Sequence, residues 1–196
     1  MKALRSVLRA GEGAKAALRD RRGSAAVEFA IVAPAFLGLM MSSFEVGWFY
    51  LATSQIDAAA IESARIIRTG QAQKSGMTKE QYFEAVCPHV RIFGDCSQVL
   101  TVEVDTFPTF EALANDTSSV VCTNDEPATV AALAYNPGTE NSIVRLRVCL
   151  LYKTINPAIG LNVSETADGK RRIFSTYIIR NEPYLRNNRS SSGPSA

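Results

Sequence analysis

A long apolar run that follows a basic N-terminal segment constrains this chain more than any other feature. Between Ala30 and Ala52 only small hydroxyl residues, two glycines, one proline and Glu45 interrupt the apolar residues. A helix of this length is long enough to cross the ~30 Å hydrocarbon layer of a bilayer. The sequence therefore predicts a membrane-inserted chain, with one transmembrane helix over residues 24–53.

The charge of the chain is divided unevenly on the two sides of this run. Residues 1–22 carry seven basic and two acidic residues, whereas the chain from Ser24 onward carries 14 basic and 17 acidic ones. Basic residues beside a membrane span stay in the cytoplasm. We therefore expect a cytoplasmic leader over residues 1–23 and an extracytoplasmic domain over residues 54–186. The tail 187–196 has no apolar anchor and is expected to be disordered. Nucleic-acid binding by the leader is disfavoured, because no aromatic platform or recognition motif accompanies it.

The helix is predicted to continue beyond the membrane. Apolar residues recur at helical spacing after Tyr50, which extends the helix from about Ser24 to Thr69, with a stop at Gly70. Pro34 is expected to kink it. Three aromatic residues near its middle fit either an interfacial belt or helix packing: Trp48, Phe49 and Tyr50. The polar half is expected to bury Ile56, Ala59, Ser63 and Ile67 against a sheet, and the membrane half offers small residues for helix bundling: Gly38, Ser42, Ser43 and Gly47.

Alternating patterns later in the chain predict a small antiparallel sheet. Strands are expected over residues 99–105, 143–152 and 172–180, with a further segment, Leu161 to Thr166, joined to the last strand through a turn at Asp168-Gly169. A capping box at 78–81 opens a short helix. Residues 106–142 are expected to form an irregular insertion with short helices. The predicted fold class is α+β and pilin-like: one long N-terminal helix, with the membrane span in its first half, packed against this sheet.

The four cysteines predict disulfides. Cys87, Cys96, Cys122 and Cys149 all fall in the expected extracytoplasmic part, where thiols can oxidise. Of the three possible pairings we favour Cys87–Cys96 with Cys122–Cys149, because the first pair closes a short loop. Zinc binding by Cys87, His89 and Cys96 is disfavoured, since the paired spacing of zinc sites is missing.

Nothing in the sequence indicates catalysis. The chain has one histidine and no GxSxG, HExxH or glycine-rich phosphate loop. We predict no catalytic residues, metal, cofactor or small-molecule substrate, and the calcium signal of Asn124-Asp125-Glu126 is weak. Six acidic residues of the extracytoplasmic part are interpreted as solvated surface: Glu103, Asp105, Glu111, Asp116, Asp125 and Glu126.

An acid at the start of the span needs a partner. A charge costs about 2.5–3.5 kcal/mol at the bilayer centre and less near its edge, so Glu28 is unfavourable alone unless it lies in the headgroup layer. If processing occurs, we expect it at the Gly23–Ser24 bond. The new α-amino group of Ser24 is then a cation about one helical turn from Glu28.

The residues around this bond resemble a family. The run Arg21-Arg22-Gly23-Ser24-Ala25-Ala26-Val27-Glu28-Phe29 and the following Ala30 to Pro34 are similar to the N-terminus of TadE-like pseudopilins of the tight-adherence (Flp) pilus system. The similarity continues through residues 44–47 and up to Gly70. A second stretch, Arg180 to Tyr184, looks like the family's closing element. TadE-like is favoured over TadF-like, and the chain is too short for the added domain of TadG-like relatives.

The resemblance implies a minor pilin rather than an enzyme. A prepilin peptidase would recognise the junction at Arg21, Arg22 and Phe29, cut after Gly23, and leave Glu28 available for a charge pair with Ser24. Phe29 replaces the tyrosine that major pilins often have there, which suits a minor component. The implied partners are the peptidase, a TadF-like minor pilin, the major Flp pilin, inner-membrane platform proteins and membrane lipid, with the chain in a bacterial inner membrane. The alternative is an uncleaved single-pass anchor whose external domain scaffolds an envelope complex or binds a ligand.

Overall fold

A single helix, α1 (Ser24–Arg68), dominates the computed structural model, which describes residues 23–155, 161 and 163–183. Its 45 residues correspond to a length of about 67 Å. The predicted helix is confirmed, one residue shorter at its C-terminal end. Gly70 follows with a φ of 73°, a left-handed conformation that glycine adopts without strain and that ends the helix. The helix continues through Pro34, and the kink expected there stays a prediction.

The second half of α1 packs on a three-stranded antiparallel sheet. The strands are β1 (Leu100–Phe107), β2 (Ile143–Lys153) and β3 (Lys170–Arg180), in the order β1-β2-β3. The α+β prediction is therefore confirmed. The helix buries a stripe of small and branched residues that includes the four expected ones: Ala52, Ile56, Ala59, Ala60, Ser63, Ala64 and Ile67. Four alanines in this stripe let the helix backbone approach the sheet closely.

The remaining elements are short. They are α2 (Gln71–Ser75), α3 (Lys79–Val86), α4 (Cys96–Val99), α5 (Phe110–Ala114) and α6 (Pro127–Ala131), with 3₁₀ turns at Cys87–His89 and Arg91–Phe93. The predicted capping box is present at the start of α3, where the Thr78 and Gln81 side chains each accept a hydrogen bond from the other's backbone N–H. We refer to the described residues after α1 as the body.

The expected strand between Leu161 and Thr166 is absent from the described residues of that segment. The turn at Asp168-Gly169 exists, and Gly169 has a φ of 73°. It closes only a tight loop, because the backbone N–H groups of Glu165 and Thr166 both donate to the Lys170 carbonyl, at 2.8 and 3.1 Å. β3 pairs with β2 along one edge, and none of the described residues between 161 and 166 continues along its other edge as a strand.

β3 runs alongside α1 from its middle to its C-terminal end. Arg171 lies over the Phe49 ring at 4.8 Å, Ser175 donates to the Asp57 carboxylate at 2.7 Å, and Glu182 pairs with Arg68 at 2.9 Å. These contacts follow one another in the same order along both elements. Phe49 is thus a packing residue, as is Trp48, whose ring lies 5.1 Å from that of Phe93. Tyr50 is exposed.

The other face of the sheet is covered by the segment between α5 and α6, which corrects one interpretation. Arg145 and Arg147 of β2 are buried beneath it. Arg147 Nε donates to Glu103 at 2.6 Å, and Arg145 pairs with Asp105 at 3.0 Å and with Asp116 at 2.7 Å. These three acids were interpreted as solvated surface, which is wrong, because the central strand is buried on both faces and its arginines need partners.

This network shifts the acids in opposite directions. Burial raises the pKa of Glu103, although Arg147 opposes the shift. Asp116 accepts hydrogen bonds from the Ser118 backbone N–H and hydroxyl, and these contacts, with Arg145, lower its pKa to about 2. The covering segment is therefore fixed to the sheet by charged hydrogen bonds.

Both disulfides of the favoured pairing are present. Cys87 bonds to Cys96, joining the turn after α3 to the start of α4, and Cys122 bonds to Cys149 of β2. The second bond attaches the covering segment covalently to the central strand, beside the arginine network.

Candidate processing and assembly site

The first turn of α1 contains the bond expected to be cut. Gly23 is the N-cap residue, with a helical φ of −87° and no side-chain cap. A Cβ atom added to Gly23 would meet nothing within 4 Å, so the fold itself does not require glycine at this position. Arg21 and Arg22 lie outside the described residues, and their role in recognition stays a prediction.

Ser24 and Glu28 lie on one face of the helix, one turn apart. The Ser24 hydroxyl donates to Glu28 Oε1 at 2.7 Å, and both residues are exposed. An i, i+4 spacing produces this contact directly. The backbone nitrogen of Ser24 begins the same turn, so an amino group freed there stays within a turn of the Glu28 carboxylate. Phe29, the next residue, is exposed as well.

The first half of α1 makes few contacts with the body. Within the described part of the chain, α1 is the one helix apolar and long enough to cross a membrane, and its most apolar 18-residue window, of mean hydropathy 1.8, has no buried residue. Its large exposed side chains include Val27, Phe29, Ile31, Val32, Phe36 and Leu39. Side chains of this kind need lipid or other helices around them.

The four small residues of this half divide into two groups. The Ser42 hydroxyl accepts a hydrogen bond from the Leu161 backbone N–H at 2.9 Å, so Ser42 contacts the body rather than a neighbouring helix. Ser43 and Gly47 are exposed. Added Cβ atoms at Gly38 and Gly47 would meet nothing within 4 Å. The expectation of a shared bundling face stays a prediction, and at Ser42 the body already occupies part of the surface.

An exposed stripe continues from the small residues along the helix face that points away from the body. Ser43, Gly47, Tyr50, Ser54 and Ile61 recur at spacings of three, four and seven, and all are exposed. The stripe crosses from the membrane half into the half that packs on the sheet. A neighbouring helix could thus contact α1 along most of its length without displacing the body.

Sequence reasoning missed the role of Glu45. This residue is fully buried, and its Oε2 atom accepts a hydrogen bond from the Ile155 backbone N–H at 2.9 Å. It holds the chain after β2 against the helix. The sequence did indicate that Glu45 has a partner, because an isolated acid inside an apolar run needs one. The identity of the partner was not available, since Ile155 is 110 residues away.

The described residues of the body form a mainly apolar groove but no metal-binding cluster. Among residues 23–155, 161 and 163–183, no group of three His, Cys, Asp or Glu side chains is placed to hold a metal ion. A groove of about 560 Å³ lies between α3 and β1 and is lined mainly by apolar residues with the Cys87–Cys96 bond in its wall. No histidine lines this groove.

The stretch from residue 23 to residue 65 matches the family model of the TadE-like proteins. The chain carries a TadE-like domain. No curated protein and no solved structure matches the chain significantly. The match begins at Gly23 and includes Glu28, Pro34 and Glu45.

The TadE-like domain and the exposed apolar half of α1 together indicate a pilin-like protein, related to the Tad pilus, that this helix anchors in a membrane. The family match ends before the sheet and does not reach the second stretch of resemblance at 180–184. In that stretch Asn181 is buried and donates to the carbonyls of Pro137 and Thr139, at 2.8 and 2.9 Å. Glu182 pairs with Arg68, so these residues fasten the end of β3 to the end of α1. Tyr184 lies outside the described residues.

Proposed function

We propose that this TadE-like protein is a minor pilin of a Flp-type tight-adherence pilus, matured by a prepilin peptidase that cuts between Gly23 and Ser24. The observation that carries the proposal is the placement of Glu28. It is an exposed acid, one turn from the proposed new N-terminus, at the end of an apolar half-helix that the body leaves uncovered. The role is structural, and the protein is a substrate of the peptidase rather than an enzyme.

Cleavage would turn the Ser24 backbone nitrogen into a cation. Two opposite charges at the membrane edge are less costly together than apart, because each reduces the desolvation cost of the other. Within one subunit the pair can form along the first turn. Between subunits staggered along a fibre, the amino group of one can approach Glu28 of its neighbour. The contact between subunits favours one axial register over others.

The exposed stripe from Ser43 to Ile61 supports assembly through helix contacts. Small residues allow helix backbones to approach closely, and helices in lipid associate through such packing. The partners proposed for this face are a TadF-like minor pilin and the major Flp pilin, with inner-membrane platform proteins driving assembly. Membrane lipid surrounds the half-helix before assembly.

The proposed location is the bacterial inner membrane, with residues 1–23 in the cytoplasm and the body in the periplasm. The excess of basic residues before the span supports this orientation. The two disulfides support an oxidising compartment for the body.

The N-terminal residue and intact mass of the membrane-extracted protein test processing. We expect a Ser24 start in cells that contain the peptidase and a Met1 start in cells that lack it. Gly23→Ala should block cleavage without affecting folding, because the added methyl group meets no neighbour. Gly38→Ala, equally free of neighbours, is the matched control and should be processed normally. A Met1 start in the presence of an active peptidase would favour the uncleaved anchor instead.

The role of the acid is tested separately with Glu28→Gln, which keeps the size of the side chain and removes its charge. We expect normal membrane insertion and cleavage but reduced co-purification with partner pilins. Unchanged assembly would refute the charge-pairing role while leaving cleavage intact.

A further inference from the structure

Contacts between α1 and the body give the body a defined membrane-proximal end. The Leu161 and Ile155 backbone N–H groups donate to Ser42 and Glu45, both at 2.9 Å. The Phe93 ring packs on Trp48. Two loops, the one that carries Phe93 and the one between β2 and β3, thus contact the helix at three points within a stretch of about 9 Å, since each helical residue rises 1.5 Å.

The end of the membrane span falls at the same level. About 20 helical residues cross the hydrocarbon layer, so a span that begins at Ser24 leaves that layer near Ser43, ten residues before the end of the transmembrane helix expected from the sequence. The opposite end of the body, where Glu182 pairs with Arg68, lies about 35 Å farther along the helix axis than Glu45. The loops that contact Ser42, Glu45 and Trp48 therefore meet the surface of the bilayer, on whichever side the body lies.

These loops expose large apolar side chains. Ile92 is 61% exposed, Ile155 51% and Leu161 48%. We call these three residues the collar. Basic side chains precede two of them in the sequence, and both are exposed: Arg91, next to Ile92, and Lys153, two residues before Ile155.

We propose that the collar inserts into the boundary between the lipid headgroups and the acyl chains, and so docks the body on the membrane surface. Apolar side chains flanked by basic ones bind this layer, at a depth of about 5–10 Å. We identify the lipid bilayer as the partner of the collar because the helix that carries Ser42 and Glu45 enters the bilayer directly below these two residues. The proposal depends on membrane anchoring and is independent of peptidase processing.

Docking has a structural consequence for Glu45. The fold itself buries Glu45 completely, and a docked body places the hydrogen bond from Ile155 in an apolar layer as well. There a hydrogen bond to a carboxylate is stronger than in water. The collar and Glu45 thus hold the body in one orientation relative to the bilayer.

The test places tryptophan at chosen depths in the full-length chain. Trp48 is the one tryptophan in the sequence, so a Trp48→Phe background is free of other indoles and keeps a ring against Phe93. Ile155→Trp and Ile92→Trp report on the collar. Ile178→Trp is the matched control, since Ile178 is 52% exposed and lies on β3 between the contacts with Asp57 and Arg68.

Each variant is reconstituted in vesicles of phosphatidylethanolamine and phosphatidylglycerol with brominated acyl chains. We expect quenching at Ile92→Trp and Ile155→Trp to exceed that at Ile178→Trp by about threefold or more, because the bromines reach only indoles in the lipid layer. Iodide, a quencher in the water, should give the reverse order. Equal quenching by either agent at all three positions would overturn the proposal. An unfolded variant would also be accessible to iodide at all three positions, so the circular dichroism spectrum of each variant is compared with that of the Trp48→Phe background to distinguish unfolding from loss of docking.

Discussion

The ion pair between Arg147 and Glu103 makes a quantitative prediction about the sheet. The Arg147 side chain is 5% exposed and that of Glu103 14%, with Arg147 Nε donating to Glu103 Oε2 at 2.6 Å and Nη1 to the Ser118 carbonyl at 2.8 Å. Arg147→Leu removes both hydrogen bonds and leaves a buried carboxylate without its partner. Breaking a buried pair in this way costs about 3–5 kcal/mol of unfolding free energy.

The double variant Arg147→Leu with Glu103→Leu should recover most of this loss. The double variant leaves no unpaired charge at either position, and replacing a buried ion pair with apolar residues is often neutral or stabilising. The Ser118 carbonyl still loses its donor, which costs about 1–3 kcal/mol if it stays buried. We therefore expect the double variant to be more stable than Arg147→Leu alone, with a coupling energy of about 2 kcal/mol or more.

Urea unfolding of the full-length protein in detergent micelles measures these differences. Trp48 reports on the body because its ring packs against Phe93. Arg65→Leu is the control, since Arg65 also forms a hydrogen-bonded pair, with Glu62, but the two side chains are 55% and 42% exposed. An exposed pair contributes at most about 1 kcal/mol. Equal losses for Arg147→Leu and Arg65→Leu, or additive effects in the double variant, would refute the reasoning.

Three further predictions concern the assembly face, a disulfide and pH. Gly47→Leu should leave the stability of the isolated protein unchanged or slightly higher, because the site is open and leucine favours a helix. The same variant should reduce cross-linking to partner pilins, because the larger side chain keeps a neighbouring helix at a distance. Undiminished cross-linking would exclude Gly47 from the contact face. The double variant Cys122→Ser with Cys149→Ser should have an unfolding free energy about 3.5 kcal/mol lower, according to the loop-entropy model of disulfide stabilisation. A urea midpoint equal to that of the oxidised wild type would contradict this prediction. The pKa of Asp116 is lowered to about 2 from an unfolded value near 3.8, so its stabilising contribution is present above pH 3.8 and is lost as the pH falls toward 2. In the Asp116→Asn variant, the unfolding free energy should depend less on pH over that range. An unaltered pH dependence would show that other groups titrate there.

Local signals explain why much of the fold was predictable. The 3.6-residue period and a glycine stop specified α1, and alternation specified three strands to within a few residues. The short spacing between Cys87 and Cys96 favoured the pairing that the structure has. In the candidate processing site, the contact between Ser24 and Glu28 needed only the i, i+4 geometry of a helix. Each of these features depends on residues close together in sequence.

The errors occurred where distant residues decide the environment. Leu161 to Thr166 was expected to pair with β3, but its last two residues close a tight loop on the Lys170 carbonyl instead of continuing along β3 as a strand. Ser42 was expected at a bundling face, and the sequence could not show that its hydroxyl also accepts a hydrogen bond from the Leu161 backbone N–H.

The sequence by itself determined the membrane-spanning helix, the acid one turn from the junction, and the presence of a small disulfide-containing sheet, because hydrophobic periodicity and spacing act over a few turns of chain. Only the tertiary structure decided which charges are buried. Alternation along β2 indicated one apolar face but could not show that residues 115–125 fold over the other and bury Arg147. Ser42, Glu45 and Trp48 likewise contact loops more than 40 residues away in sequence, and the return of these loops to the helix depends on packing of the whole sheet.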